Sequence, residues 1–240
     1  MADGQVERIP FDDPRLGRHI RHDPRSRNFA LPRHADLSQP VKWRNWGQKL
    51  DQGDLGACTG YAAAHCLNHM PMRASIRPRP TLKNAQAEEF YSIATGLDPW
   101  PGQWRPDDTG SSGLAACQAA VHLGFATGYR WAFGFDHGRA ALRDGPLMMG
   151  SYWDWNMFEP DKDGYIRTGG GVAGGHEFII TADYPDLGEV WGLNSWGPSW
   201  GGWGPVQRNG YRTHPGMFRM KYPVFRELLE RDGDLVRPVA

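Results

Sequence analysis

The chain reads as an α+β protein of two lobes, a helical one over about residues 50–128 and a strand-rich one over about 129–222. Three observations predict this. Apolar residues recur at helical spacing over 84–96 and 114–124, and a small-residue run follows Cys58. After Gly128 the period shortens to that of strands, in LMMGSYW, GGHEFIITADY and EVWGLNSW. Gly and Pro clusters separate these stretches, as turns require.

Composition sets the class. At 240 residues the chain can bury a substantial core, and its 27 basic and 27 acidic side chains cancel. That balance argues against nucleic acid or an anionic membrane as partner. No apolar run approaches the roughly 18 residues a membrane span needs, and MADGQVERIPFDDPRLGRHI is too polar for a secretory signal. A cytoplasmic or virion-associated protein is expected. The three cysteines allow one disulfide at most, which suits a reducing compartment.

Residues 1–30 read as an extended arm. Arg15, Arg18, His19, Arg21, His22, Arg25 and Arg27 alternate with Asp and Pro and leave little to bury, so the arm is expected to be solvated or bound to a protein partner. The folded domain is expected over 31–240. It opens with a short extended piece around Val41–Trp43, and Trp46 to Leu50 leads into DQGDLGACTGYAAA. There a glutamine precedes a glycine turn, and a helix opens at Cys58 and runs to about Asn68, before Pro71. Gly60 costs this helix about 1 kcal/mol of propensity, so packing must hold it. Ala62, Ala63 and Ala64 would let other elements come close.

His65 and His69 are four apart with Cys66 between them, the beginning of a metal-site pattern, yet no further ligand appears at matching spacing. Packing histidines and a core cysteine are the reading, with no metal or cofactor. Cys117, inside the apolar helix 114–124, is likewise core. Gly110, Ser111, Ser112 and Gly113 expose backbone just before that helix, either as a simple turn or as an edge to which an extended peptide can add. A final helix is expected over about 223–231.

The chemistry is expected at Cys58. A free cysteine is usually an inert small hydrophobe. A thiol at a helix N-terminus, however, faces unpaired N–H groups and the positive end of the dipole, which favours thiolate. Gln52, six residues earlier, could form an oxyanion hole with the Cys58 N–H. In the strand GGHEFIITADY, His176, Phe178 and Ile180 share one face and Glu177 and Ile179 the other. The partner strand EVWGLNSW ends near Asn194, within reach of His176.

Gln52, Gly53, Cys58, Gly175-His176, Asn194-Ser195-Trp196-Gly197 and Trp200-Gly201, in that order, resemble the signature of papain-like (C1-type) cysteine peptidases. The N-S-W-G-x-x-W-G run is its most specific part, and the likeness spans about Leu31 to Tyr222. Leu55 and Thr59 stand where many members carry a structural cysteine and an aromatic residue, which resembles a disulfide-poor branch of bacteria and their viruses. An insertion at 205–215 also departs from the family pattern.

The resemblance implies a papain-like two-lobe fold, its helical lobe facing a β-barrel-like lobe across the active-site cleft. It implies Cys58 as nucleophile, His176 as its imidazolium partner, Asn194 orienting the ring, Gln52 in the oxyanion hole and Trp196 shielding the His–Asn pair. Gly110, Ser111, Ser112, Gly113 and Gly175 would bind a polypeptide substrate. Lowering a thiol pKa from about 8.5 to about 3–4 needs roughly 6–7 kcal/mol, of which a helix terminus supplies about 0.5–2. Most must therefore come from His176. Two other functions share these residues: an assembly component, for instance of a viral particle, using the fold for binding, and an amidase or endopeptidase acting on peptidoglycan cross-links.

Overall fold

The three long helices form where the sequence period places them, and they pack through small residues. A computed structural model describes residues 4–45, 47–75, 80–201 and 214–239. Trp46 and most of the 205–215 insertion lie outside the described residues. Strands β1 (Val6–Glu7) and β2 (Ile20–Arg21) pair within the arm, and β3 (Val41–Lys42) follows. Helices α1 (Cys58–Asn68), α2 (Met72–Ser75), α3 (Asn84–Leu97) and α4 (Gly113–His122) come next. At Gly60 a Cβ would lie 2.4 Å from the Ala87 carbonyl oxygen and 2.7 Å from the Tyr91 nitrogen, so α1 and α3 touch backbone to backbone. Only glycine permits that approach, which accounts for a poor helix former in the middle of α1.

The strand-rich half contains β4 (Gly128–Ala132), α5 (Gly134–Ala141), β5 (Leu147–Asp154), β6 (Val172–Tyr184), β7 (Glu189–Leu193), β8 (Met217–Lys221), α6 (Tyr222–Glu230) and β9 (Asp234–Val239). These strands form one antiparallel sheet in the order β4-β9-β5-β6-β7-β8, with β3 added to the far end of β6. One sheet face, with Met148 and Ile179, meets α1 and α4, against which α3 packs. The other, with Met149, Phe178 and Ile180, meets Phe225 and Leu228 of α6. A bulge between Ile180 and Ala182 then shifts the alternation of β6, so Ala182 and Tyr184 join the helical side. The last strand is not evident in the sequence, yet β9 lies between β4 and β5 and carries buried Leu235 and Val236.

Cys66 and Cys117 are buried and free, as core residues should be. His69 Nδ1 donates to the His65 carbonyl at 2.7 Å, so this pair serves helix packing. Among the described residues no group of three or more His, Cys, Asp or Glu is arranged to hold a metal ion. Nor is any described helix long and apolar enough to cross a membrane.

Candidate active site

Cys58 is the first residue of α1, and the turn before it is fixed by a residue the sequence reading passed over. Gly56 N donates to Asp108 Oδ2 at 2.9 Å, Tyr91 Oη donates to the other Asp108 oxygen, and Gly110 N donates to Tyr91 Oη at 2.9 Å. Asp108 thus ties the cysteine turn to the Gly110–Gly113 segment. An Asp within a Pro- and Gly-rich loop gives no periodic signal by which to single it out.

The second group of residues comes together because Leu50–Gln52 runs beside Ser195–Gly197. Gln52 N donates to the Ser195 carbonyl at 2.9 Å, and Gly197 N to that of Leu50 at 3.1 Å. Ser195 Oγ donates to Gln52 Oε1 at 2.5 Å, and this fixes the amide so that Nε2 points toward the cysteine turn, donating to Leu55 O at 2.6 Å. His176 Nε2 lies 2.7 Å from Asn194 Oδ1, which also accepts from Ser195 N at 2.7 Å. Because Oδ1 can only accept, His176 carries its proton on Nε2 and keeps a lone pair on Nδ1. Trp196 and Trp153 pack against the imidazole, with ring centroids 4.8 and 4.9 Å away. Arg15 in turn covers Trp196, its guanidinium carbon 4.5 Å from the ring centre.

The arm, expected to be solvated or bound to a partner, is instead packed over this site. Leu16, Arg18, His19 and Ile20 are fully buried. Gly17 N and Arg18 N both donate to the Gly175 carbonyl, at 3.1 and 3.0 Å. On the other side Ser111 N donates to Gly17 O and His19 N to Ser111 O, each at 2.7 Å. Gln52 Nε2 donates to the Arg15 carbonyl at 2.9 Å. The arm therefore uses Ser111, Gly175 and Gln52 as an extended chain in a groove would, while Ser112 caps α4. Gly17 fits because it lacks a side chain: a Cβ there would lie 2.0 Å from the Gly56 carbonyl oxygen. Composition misled here, because Ile9, Leu16 and Ile20 face inward and carry Arg18 and His19 into the interior with them.

Covering the site determines its charge state. Cys58 and His176 are wholly buried. Burial, and then the nearby Glu177 carboxyl, push the Cys58 thiol up to about 12, although the N–H groups of Glu177, Gly17 and Thr59 oppose this. Burial pushes His176 down to about 4 against the opposing Asn194 hydrogen bond. Both shifts favour the neutral thiol and imidazole, and His176 Nδ1 has no hydrogen-bond partner. They oppose the thiolate–imidazolium pair expected from the sequence, because a buried ion pair must overcome desolvation of both groups.

No protein-family model matches the sequence, and no curated protein matches it. Solved structures resemble its fold. Xylellain, a cysteine protease from Xylella fastidiosa, is similar at a TM-score of 0.71 and 14% identity, with 100% of both chains covered. Digestive procathepsin L 3 of the Tenebrio molitor larval midgut gives 0.60 and 12%, covering 89% of this chain and 74% of its own. A Carica candamarcensis cysteine protease gives 0.54 and 14%, covering 82% and 98%. The fold is the papain-like one, as the sequence predicted.

Proposed function

We propose that this chain is a cysteine peptidase whose arm keeps it latent. The observation that carries the reading is the convergence of Cys58 at the start of α1, the 2.7 Å His176–Asn194 hydrogen bond and the Gln52 amide on the stretch of arm backbone at residues 15–18. Once the arm leaves, water re-enters and the desolvation that holds both groups neutral is relieved. His176 can then take the Cys58 proton on Nδ1, with Asn194 holding the ring through Nε2–H and Trp196 keeping water from that bond. The thiolate attacks a peptide carbonyl, and the oxyanion is held by Gln52 Nε2 and the Cys58 N–H. His176 gives its proton to the leaving amine, and water then hydrolyses the thioester. Gly110, Ser111, Ser112, Gly113 and Gly175 line the groove in which the polypeptide extends.

The full-length Gly17→Val variant tests this, because its side chain collides with the Gly56 carbonyl and so expels the arm without touching the proposed machinery. It should cleave unfolded polypeptides that the unaltered chain leaves intact, and adding Cys58→Ala should abolish the cleavage. A folded, arm-released chain that hydrolyses no peptide bond in a broad peptide library would contradict the peptidase reading.

A further inference from the structure

Arg18 is fully buried, and it is held by a side chain of β9 and by the backbone just before that strand. Its Nη2 lies 2.6 Å from Asp234 Oδ2 and donates to the Asp232 carbonyl at 2.8 Å. Glu177 completes the cluster. A Cβ on Gly150 would lie 2.6 Å from Arg18 Nε, 2.7 Å from Glu177 Oε2 and 3.0 Å from Asp234 Oδ1, so the three groups converge over that residue of β5. Both Glu177 oxygens, Asp234 Oδ1 and Arg18 Nε and Nη1 are buried without a hydrogen-bond partner. The pocket adjoins the reactive sulfur: the N–H groups of Glu177 and of Gly17, the residue before Arg18, both bear on Cys58.

Two buried carboxyl groups face a single cation here. If the arm leaves with Arg18, Asp234 is left without its counter-ion beside the buried Glu177 carboxyl, an arrangement that is unfavourable in a protein interior unless a cation or proton returns. Glu177 already sits well above the usual carboxylate range, through burial and then the charge of Asp234. A leucine side chain restores nothing, and a lysine supplies one point charge. A guanidinium supplies a fork of donors that meets Asp234 and the Asp232 carbonyl together, with two further N–H groups left to face Glu177.

We propose that, once vacated by the arm, this pocket selects an arginine side chain in the bound polypeptide, with Asp234 and Glu177 as the specificity-determining residues. Its use in cleavage rests on the peptidase reading; its use in binding does not. Arg18 is then the arm's copy of the preferred side chain.

The test uses the full-length Gly17→Val chain and sets of peptides that differ only in carrying Arg, Lys, citrulline or Leu at one position near the cleaved bond. At one position arginine should exceed citrulline, its neutral isostere, by at least about 30-fold in kcat/KM. Adding Asp234→Asn should bring that ratio close to one, with Asp234→Ser as the second variant should the first unfold. Equal cleavage of arginine and citrulline peptides at every position overturns the pocket while leaving the peptidase reading intact. If nothing is cleaved, that reading fails, and the pocket is judged by titrating the synthetic peptide Asp13–His22, with Arg18 or with citrulline in its place, into the Gly17→Val chain. A binding loss of the same order upholds the pocket, and equal binding refutes it.

Discussion

At Cys58 and His176, burial and the proposed catalytic chemistry pull in opposite directions. Burial pushes the thiol up to about 12 and the imidazole down to about 4, each away from its charged form. Substitutions should therefore be read in the arm-released chain. There Cys58→Ala should remove hydrolysis with no change in the folded spectrum. His176→Ala should lower kcat by about 10³-fold or more, and Asn194→Ala by less, since the ring stays in place and loses only its orientation. Steady-state kinetics checks the order, and an Asn194→Ala effect larger than that of His176→Ala would contradict the roles. These residues were legible because they occupy fixed places in a recognisable order, with the Asn194–Gly201 run as the most specific. Asp108 and Asp234 were not, because each meets its partner only through tertiary contact, and single acidic residues carry no period.

The arm is the element on which the proposed latency depends, and its hold should depend on pH. His19 lies under Thr109, donating from Nε2 to that carbonyl at 2.7 Å while Nδ1 accepts from Ile9 N at 3.2 Å. Burial pushes it down to about 4 from an ordinary 6.5. Below about pH 6.5 the released arm takes up a proton that the docked arm refuses, so docking is fully favoured above 6.5 and weakens as pH falls toward 4. At pH 5 the linkage from His19 amounts to about 2 kcal/mol. Hydrogen exchange of the Arg18, His19 and Ser111 amides, corrected for intrinsic rates, should show faster opening at pH 5 than at pH 7.5, and His19→Gln should flatten that dependence. A second element prediction concerns the α1–α3 contact. Gly60→Ala places a methyl against the Ala87 carbonyl and should cost about 1–3 kcal/mol by denaturant titration, despite the gain in helix propensity. The helices themselves were legible from period and breakers. The docking of the arm was not, because its buried run, Leu16–Ile20, is built largely of Gly17, Arg18 and His19, residue types that composition assigns to solvent.

For the whole molecule, the order of helices and strands was legible because each lobe has its own period and Gly128 stands near the change. Strand β9 escaped notice because DLVRPV is short and carries a proline, features that normally mark an edge strand. Here Pro238 pairs opposite Tyr129 near the sheet's end, while Leu235 and Val236 fill its interior. That strand also carries Asp234 to the site, so the end of the chain completes a cleft whose other walls come from its middle. The central claim is that one fold holds Cys58 neutral beneath the arm and reactive without it. The most direct measurement is the rate of thiol alkylation against pH, with the modified cysteine located by mass spectrometry, in the unaltered chain, in Gly17→Val and in Gly17→Val with His176→Ala. The account predicts that Cys58 is nearly inert in the first, reacts fast at about pH 5 in the second and loses that reactivity in the third. A Cys58 that behaves in Gly17→Val as an ordinary thiol of pKa about 8.5, whether or not His176 is present, would contradict it.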